Sequence, residues 1–330
     1  MPARIRHMLV AIHDLRHAPR AQLRKAASLA RTAGASLELF HAIDEPDPGA
    51  SWPETATAEF VTRRRAAIAA RSLRALERLA RDKAFRGVRV RCLASWDYPP
   101  HEAIVRRALA SRAGLVVAAT RHHVPGARLL LRNTDWELIR QCPVPLLLVK
   151  SSRDYQRPAI LAAVDPFHAH ARPADLDARL LAAGKSCAQL LHGKLHVFHA
   201  YMPLINVAMG PISTAPMLTI PPEMEDAHGV QITRAIDRLA AGAGVPRARR
   251  HVHMGDVAGE LAAATRDTRA GVVVMGAVSR SALKRLFIGN AAERVLDKLE
   301  CDVLIIKPRG FKSTVSRRPA VAVPRLVVTR

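Results

Sequence analysis

Residues 270–307 read AGVVVMGAVSRSALKRLFIGNAAERVLDKLECDVLIIK, and two unbroken apolar runs, VVVMG (272–276) and VLII (303–306), bracket one polar loop and one helical stretch. Apolar runs without polar alternation are what strands buried on both faces require. Strands alternating with helices form a parallel sheet with right-handed crossovers, so this stretch specifies the end of a doubly wound α/β domain. The same stretch stands 157 residues earlier, at 113–150, as AGLVVAATRHHVPGARLLLRNTDWELIRQCPVPLLLVK.

Working outward, the rest of the unit is duplicated too. LELFHA (37–42) returns as LHVFHA (195–200), a shift of 158, and the opening apolar runs at 8–13 and 160–165 lie 152 apart. A period of this length is far beyond the roughly 20–50 residues of a solenoid repeat and means duplicated domains. The expected domains are residues 1–152 and 158–308, followed at 309–330 by a basic, disordered tail. Strands are expected at 8–12, 37–42, 88–94, 115–119 and 146–149 in the first unit, with helices at 19–32, 59–81, 100–111 and 135–140. In the second, strands are expected at 160–164, 195–201, 250–254, 272–276 and 303–307. The fold class is therefore α/β, as two tandem doubly wound, five-stranded parallel-sheet domains.

The 330 residues carry 51 Lys and Arg against 28 Asp and Glu, a net charge of +23, with 49% hydrophobic residues, a globular composition that excludes general disorder. The charge is uneven. Residues 1–157 hold 28 basic and 14 acidic residues, residues 158–307 hold 17 and 14, and residues 308–330 hold six basic and none acidic. Of the basic residues 42 are Arg, a skew that reads as compositional bias. Neither stacking aromatics nor a base-reading motif accompanies the charge, so nucleic acid is not the expected main partner, and nonspecific polyanion binding stands as an alternative. No apolar run approaches the roughly 18–20 residues of a membrane span, and the run at 8–12 is too short for a secretory signal; the expected location is the cytoplasm. Cys92, Cys142, Cys187 and Cys301 are widely spaced and read as free thiols.

Ligands of such sheets bind outside the carboxyl ends of the strands. In the second unit those ends carry Asp165, Met275-Gly276, Ser279-Arg280 and then Gly289-Asn290 before the last helix. A glycine-containing loop that opens a helix can cradle phosphate. The spacing fits neither a P-loop nor a dinucleotide fingerprint. It does resemble the universal stress protein family, whose pattern G-2x-G-9x-G-[S/T] is reproduced in spacing by Gly276, Ser279, Gly289 and Asn290, with Ser279 in place of the second glycine, Asn290 in place of the hydroxyl residue and an Asp closing the first strand. NTDWELIRQCP, GNAAERVLDKLECDVLIIKP and AYMPLINVAMG resemble the tandem, two-domain bacterial members.

That resemblance implies an adenine nucleotide alpha hydrolase-like fold and an adenine nucleotide, ATP, bound mainly in the second domain. Val164 would line the base and Asp165 would accept hydrogen bonds from adenine or ribose. Met275, Gly276, Ser279 and Arg280 would flank the phosphates, and Gly289, Asn290, Ala291 and Ala292 would complete the cradle. It further implies a role in stress response as a ligand sensor with at most slow ATP hydrolysis, and fifth strands pairing within one chain, a homodimer being a further assembly. In the first unit His13 replaces Asp165, Ala119 replaces Gly276, His122 replaces Ser279 and Arg132 replaces Gly289, so nucleotide binding there is expected to be lost. His13, His122 and His123, with Asp14 and His41 nearby, form instead a candidate site for Zn²⁺, Ni²⁺ or Cu²⁺. The uncharged segment 202–222, MPLINVAMGPISTAPMLTIPP, with three methionines, is expected either to pack on the domain interface or to wall a pocket for an apolar or acyl-bearing ligand. Binding of such a ligand, or of a metal ion, without ATP is the alternative function.

Overall fold

The computed structural model describes residues 5–44, 58–120, 133–167, 175–204, 220–277, 290–318 and 325–329. The chain forms two compact units, one of residues 2–154 together with 311–330, the other of residues 155–310.

In the first unit β1 (His7–Ala11), β2 (Ser36–Ile43), β3 (Val90–Trp96), β4 (Leu115–Ala119) and β5 (Leu146–Val149) alternate with α1 (Arg20–Ala33), α2 (Ala58–Ala80), α3 (Pro100–Ala110) and α4 (Asn133–Gln141). The strands lie in the order β3-β2-β1-β4-β5, all parallel, and β1 is central with Leu9 beside both Glu38 and Val116. Met8, Leu9, Val10, Val116 and Val117 have no exposed surface, as the unbroken apolar runs require. Helix α1 buries Leu23, Ala26, Ala27 and Ala30, one face at helical spacing, and ends where Gly34 takes a left-handed φ of 62°. Glu38 is an anomaly in β2. It is fully buried, and its carboxylate accepts from Arg107 of α3, Nη2 to Oε2 at 2.6 Å, which compensates the charge.

The described residues of the tail, 309–318 and 325–329, depart from the expectation of disorder. Thr314 donates from both its amide and its hydroxyl to Oε1 of Gln141, at 3.3 and 2.8 Å. Arg106, itself held by Asp97 and Glu102, donates to the Ser316 carbonyl at 3.4 Å. Arg325–Thr329 then forms β11, antiparallel to β3, with Val327 opposite Leu93. The physical reason is that β3 would otherwise present an unpaired edge, and RLVVT has the β-branched composition that pairs with one. The tail therefore belongs to the first unit.

The second unit contains β6 (Ala159–Ala163), α5 (Leu176–Leu190), β7 (Lys194–Tyr201), α6 (Pro222–Gly242), β8 (Arg250–Met254), α7 (Val257–Asp267), β9 (Ala270–Gly276), α8 (Asn290–Lys298) and β10 (Asp302–Ile306). Its order is β10-β9-β6-β7-β8, again all parallel, so the first and fourth strands of each unit lie side by side. Chain direction across the sheet reverses between β6 and β9, the switch point at which doubly wound folds open a crevice. No described helix is long and apolar enough to cross a membrane.

Candidate ligand-binding site at the strand ends

Parallel pairing brings the ends of β6 and β9 together, with Ala162 beside Val274, so that Val164-Asp165 and Met275-Gly276 leave the sheet as neighbours. Val164 and Met275 are buried and Asp165 is half-buried. Three side chains brace this edge. His199, buried in β7, donates from Nδ1 to the Val164 carbonyl at 2.9 Å. Asp177, buried near the start of α5, accepts from the Asp165 amide at 3.1 and 3.3 Å. Lys307, buried at the end of β10, donates to the Ala277 carbonyl at 3.0 Å, and its own carbonyl accepts from Arg179 Nε at 3.0 Å. The last carbonyls of two strands are thus held by an imidazole and an ammonium, and an amide by a carboxylate. A fixed backbone at a crevice costs a ligand little ordering entropy.

Gly276 has a packing cause of its own. A Cβ there would meet Leu176 Cδ2 at 2.7 Å. In the first unit Ala119 takes the equivalent place, and Ala18 stands 158 residues before Leu176. The smaller residue just ahead of α1 accompanies the larger strand residue, so the Gly-to-Ala difference between the units does not by itself report a ligand.

Ser279, Arg280 and Gly289 lie outside the described residues. Asn290, Ala291 and Ala292 form the first turn of α8. Asp177, Arg179 and Lys307 were missed by sequence reading because no motif contains them. Their only signal was a polar residue at a position that helix or strand periodicity assigns to the interior.

The first unit keeps one of these braces and replaces another. His41 donates from Nδ1 to the Ile12 carbonyl at 2.8 Å, the counterpart of His199. At the switch point Gln22 donates from Nε2 to the carbonyls of Ala11 and Val117, at 2.9 and 3.1 Å, tying β1 to β4. Lys25, buried in α1, reaches the Ser151 carbonyl at 2.7 Å. A cavity of about 540 Å³ at these ends is lined by His13, Asp14, His17, Arg20, Gln22 and Lys150, among others. Asp14 accepts from the amides of Arg16 and His17 at 2.9 and 3.1 Å and faces the His17 ring at 3.4 Å. His122 and His123, the other members of the expected metal site, lie outside the described residues. Among the described residues no group of three His, Cys, Asp or Glu side chains is arranged to hold a metal ion.

All four cysteines are free and buried, and burial, aided by the nearby Asp302 carboxylate, pushes the Cys187 thiol up to about 12. Such a thiol is not a nucleophile at neutral pH. Of the segment 202–222, residues 205–219 lie outside the described residues.

Comparison with known proteins places both units. The universal stress protein family matches residues 4–150 and 159–307. Universal stress protein E of Escherichia coli K12 is 30% identical over 239 residues, covering 69% of this chain and 72% of that protein. The protein of the same name from Photorhabdus laumondii is 25% identical over 232 residues, with the same coverages of 69% and 72%. Among solved structures, a functionally unknown protein from Pseudomonas aeruginosa PAO1 is similar with a TM-score of 0.65 at 26% identity, covering 92% of this chain and 93% of that one.

Proposed function

We propose, from the premise that the chain belongs to the universal stress protein family with one family domain in each half, that it binds an adenine nucleotide at the strand ends of its second unit and acts in stress response by sensing that ligand. The observation that supports this reading is the juxtaposition of Val164-Asp165 with Met275-Gly276 at the β6–β9 switch point, with α8 beginning at Asn290 later in the chain. Val164 offers an apolar wall to a base and Asp165 a carboxylate to its amino group or to ribose hydroxyls. The loop amides leading into α8, with Ser279, Arg280 and Gly289, would receive phosphate, aided by the partial positive charge of the helix start. The braces from His199, Asp177 and Lys307 support a preformed backbone at these strand ends.

Titration of labelled ATP into the wild type and into the Asp165→Ala, Gly289→Arg double variant tests the reading. The variant should bind at least about tenfold more weakly, a loss of roughly 1.4 kcal/mol. Equal affinity in the two proteins would remove ATP from this site.

A further inference from the structure

The second unit has a concavity at the opposite end of its sheet, beside the residues that lead into β6, β7 and β8, of about 970 Å³. Five groups able to carry positive charge line it: Arg157, Lys185, His192, Lys194 and Arg249. No Asp or Glu does, and among the described residues no ion pair engages Arg157, Lys185 or Lys194. Leu195 and Val245 supply buried apolar surface to the wall. Tyr155, also in the lining, donates its hydroxyl to the fully buried Asp302 carboxylate at 2.5 Å.

This concentration of charge is not inherited from the chain's general excess. Residues 155–310 carry 19 basic and 14 acidic residues, a net of +5 out of the chain's +23. Its acids lie elsewhere: Asp237 is paired with Arg250, Glu260 faces His253, and Asp256 lies near Arg294 and Lys298. Like charges gathered around one concavity repel until an anion joins them, and a concave wall focuses their field onto whatever enters. A single monovalent anion would leave most of the charge unmatched.

We infer that this concavity is a binding site for a small multivalent phosphate anion, distinct from the crevice at the carboxyl ends of the strands. Lys185 from the last part of α5 and Lys194 from the start of β7 flank the site with Arg157, and Arg249 adds a guanidinium suited to paired phosphate oxygens. Arg249 also donates to the Leu195 carbonyl at 3.3 Å, which fixes its direction. The site does not depend on nucleotide binding at the other end.

Inorganic tripolyphosphate is the probe, titrated calorimetrically into the full chain at about 50 mM salt. Three proteins are compared: the wild type, the triple variant Arg157→Gln, Lys185→Gln, Lys194→Gln, and Asp165→Ala. The substituted cations are exposed, so the triple variant should keep the wild-type circular dichroism and melting temperature. Tripolyphosphate affinity should fall at least about tenfold in the triple variant, stay within about twofold in Asp165→Ala, and weaken with added salt in the wild type. Unchanged affinity in the triple variant overturns the assignment, as does absence of wild-type binding at about 1 mM probe. So does a triple variant that loses single-stranded DNA binding while tripolyphosphate affinity is retained, which would make the surface a nucleic-acid interface.

Discussion

His196 on β7 and His251 on β8 face each other with Nδ1 and Nε2 3.0 Å apart and ring planes 8° from parallel. Two facing ring nitrogens at that distance share one proton; a second makes both of them donors and breaks the contact. Burial, then the His251 ring and the cations Arg249 and Lys194, bring the His196 pKa down to about 4. His251 is lowered as well, by burial and by His253, with Asp267 opposing. The folded-state value lies below the ordinary 6.5, so the unfolded chain binds more protons between the two. The stability this pair contributes is therefore complete above about pH 6.5 and declines as pH falls toward about 4. Urea midpoints of the wild type should drop between pH 7 and pH 5 by more than those of His196→Gln, and parallel curves would refute the linkage. None of this was legible in the sequence, where His196 and His251 are merely two of 15 histidines. The places of Asp165 and Gly276 at strand ends could be read from the apolar runs, whereas the contacts of Asp177, Gln22 and Lys307 could not, because their partners are backbone atoms brought close only by folding.

At the scale of elements, the repeat made most of the architecture readable. The strands expected at 115–119, 146–149 and 250–254 match Leu115–Ala119, Leu146–Val149 and Arg250–Met254, and the other expected strands differ by one or two residues at an end. Buried parallel strands are written in continuous apolar runs, and such runs leave little ambiguity. The exception is β11, since a five-residue run after a proline-containing basic stretch has no repeat partner to announce it, and its pairing depends on the open edge of β3. Removing residues 311–330 should expose that edge and leave the Gln141 side chain without Thr314, lowering the unfolding free energy of the first unit by about 1–3 kcal/mol. Urea unfolding followed through a first-unit reporter such as Trp96, which is buried beside the β11 pairing, measures the loss. An unchanged midpoint would mean that the tail adds nothing to the fold.

At the scale of the molecule, duplication produced two units with one strand order and different strand-end chemistry. The second unit presents Asp165 at its crevice, and its motif spacing supplies Gly289 and Asn290. The first presents His13, and Arg132 stands where Gly289 would be. Gln22 binds the two central strands together through the Ala11 and Val117 carbonyls. The +23 charge of the chain does not by itself make a nucleotide site, because attraction raises the rate and extent of anion encounter without shaping a cradle. Saturating titration should therefore give about one ATP per chain, and Asp165→Ala with Gly289→Arg should abolish that one rather than expose a weaker second site. Raising the salt from about 50 to 200 mM should weaken any polyanion binding by the basic first unit far more steeply than it weakens ATP binding, since the former rests on counterion release and the latter on a shaped contact. Two equivalent nucleotides per chain would overturn the asymmetry and return the first unit to the same function as the second.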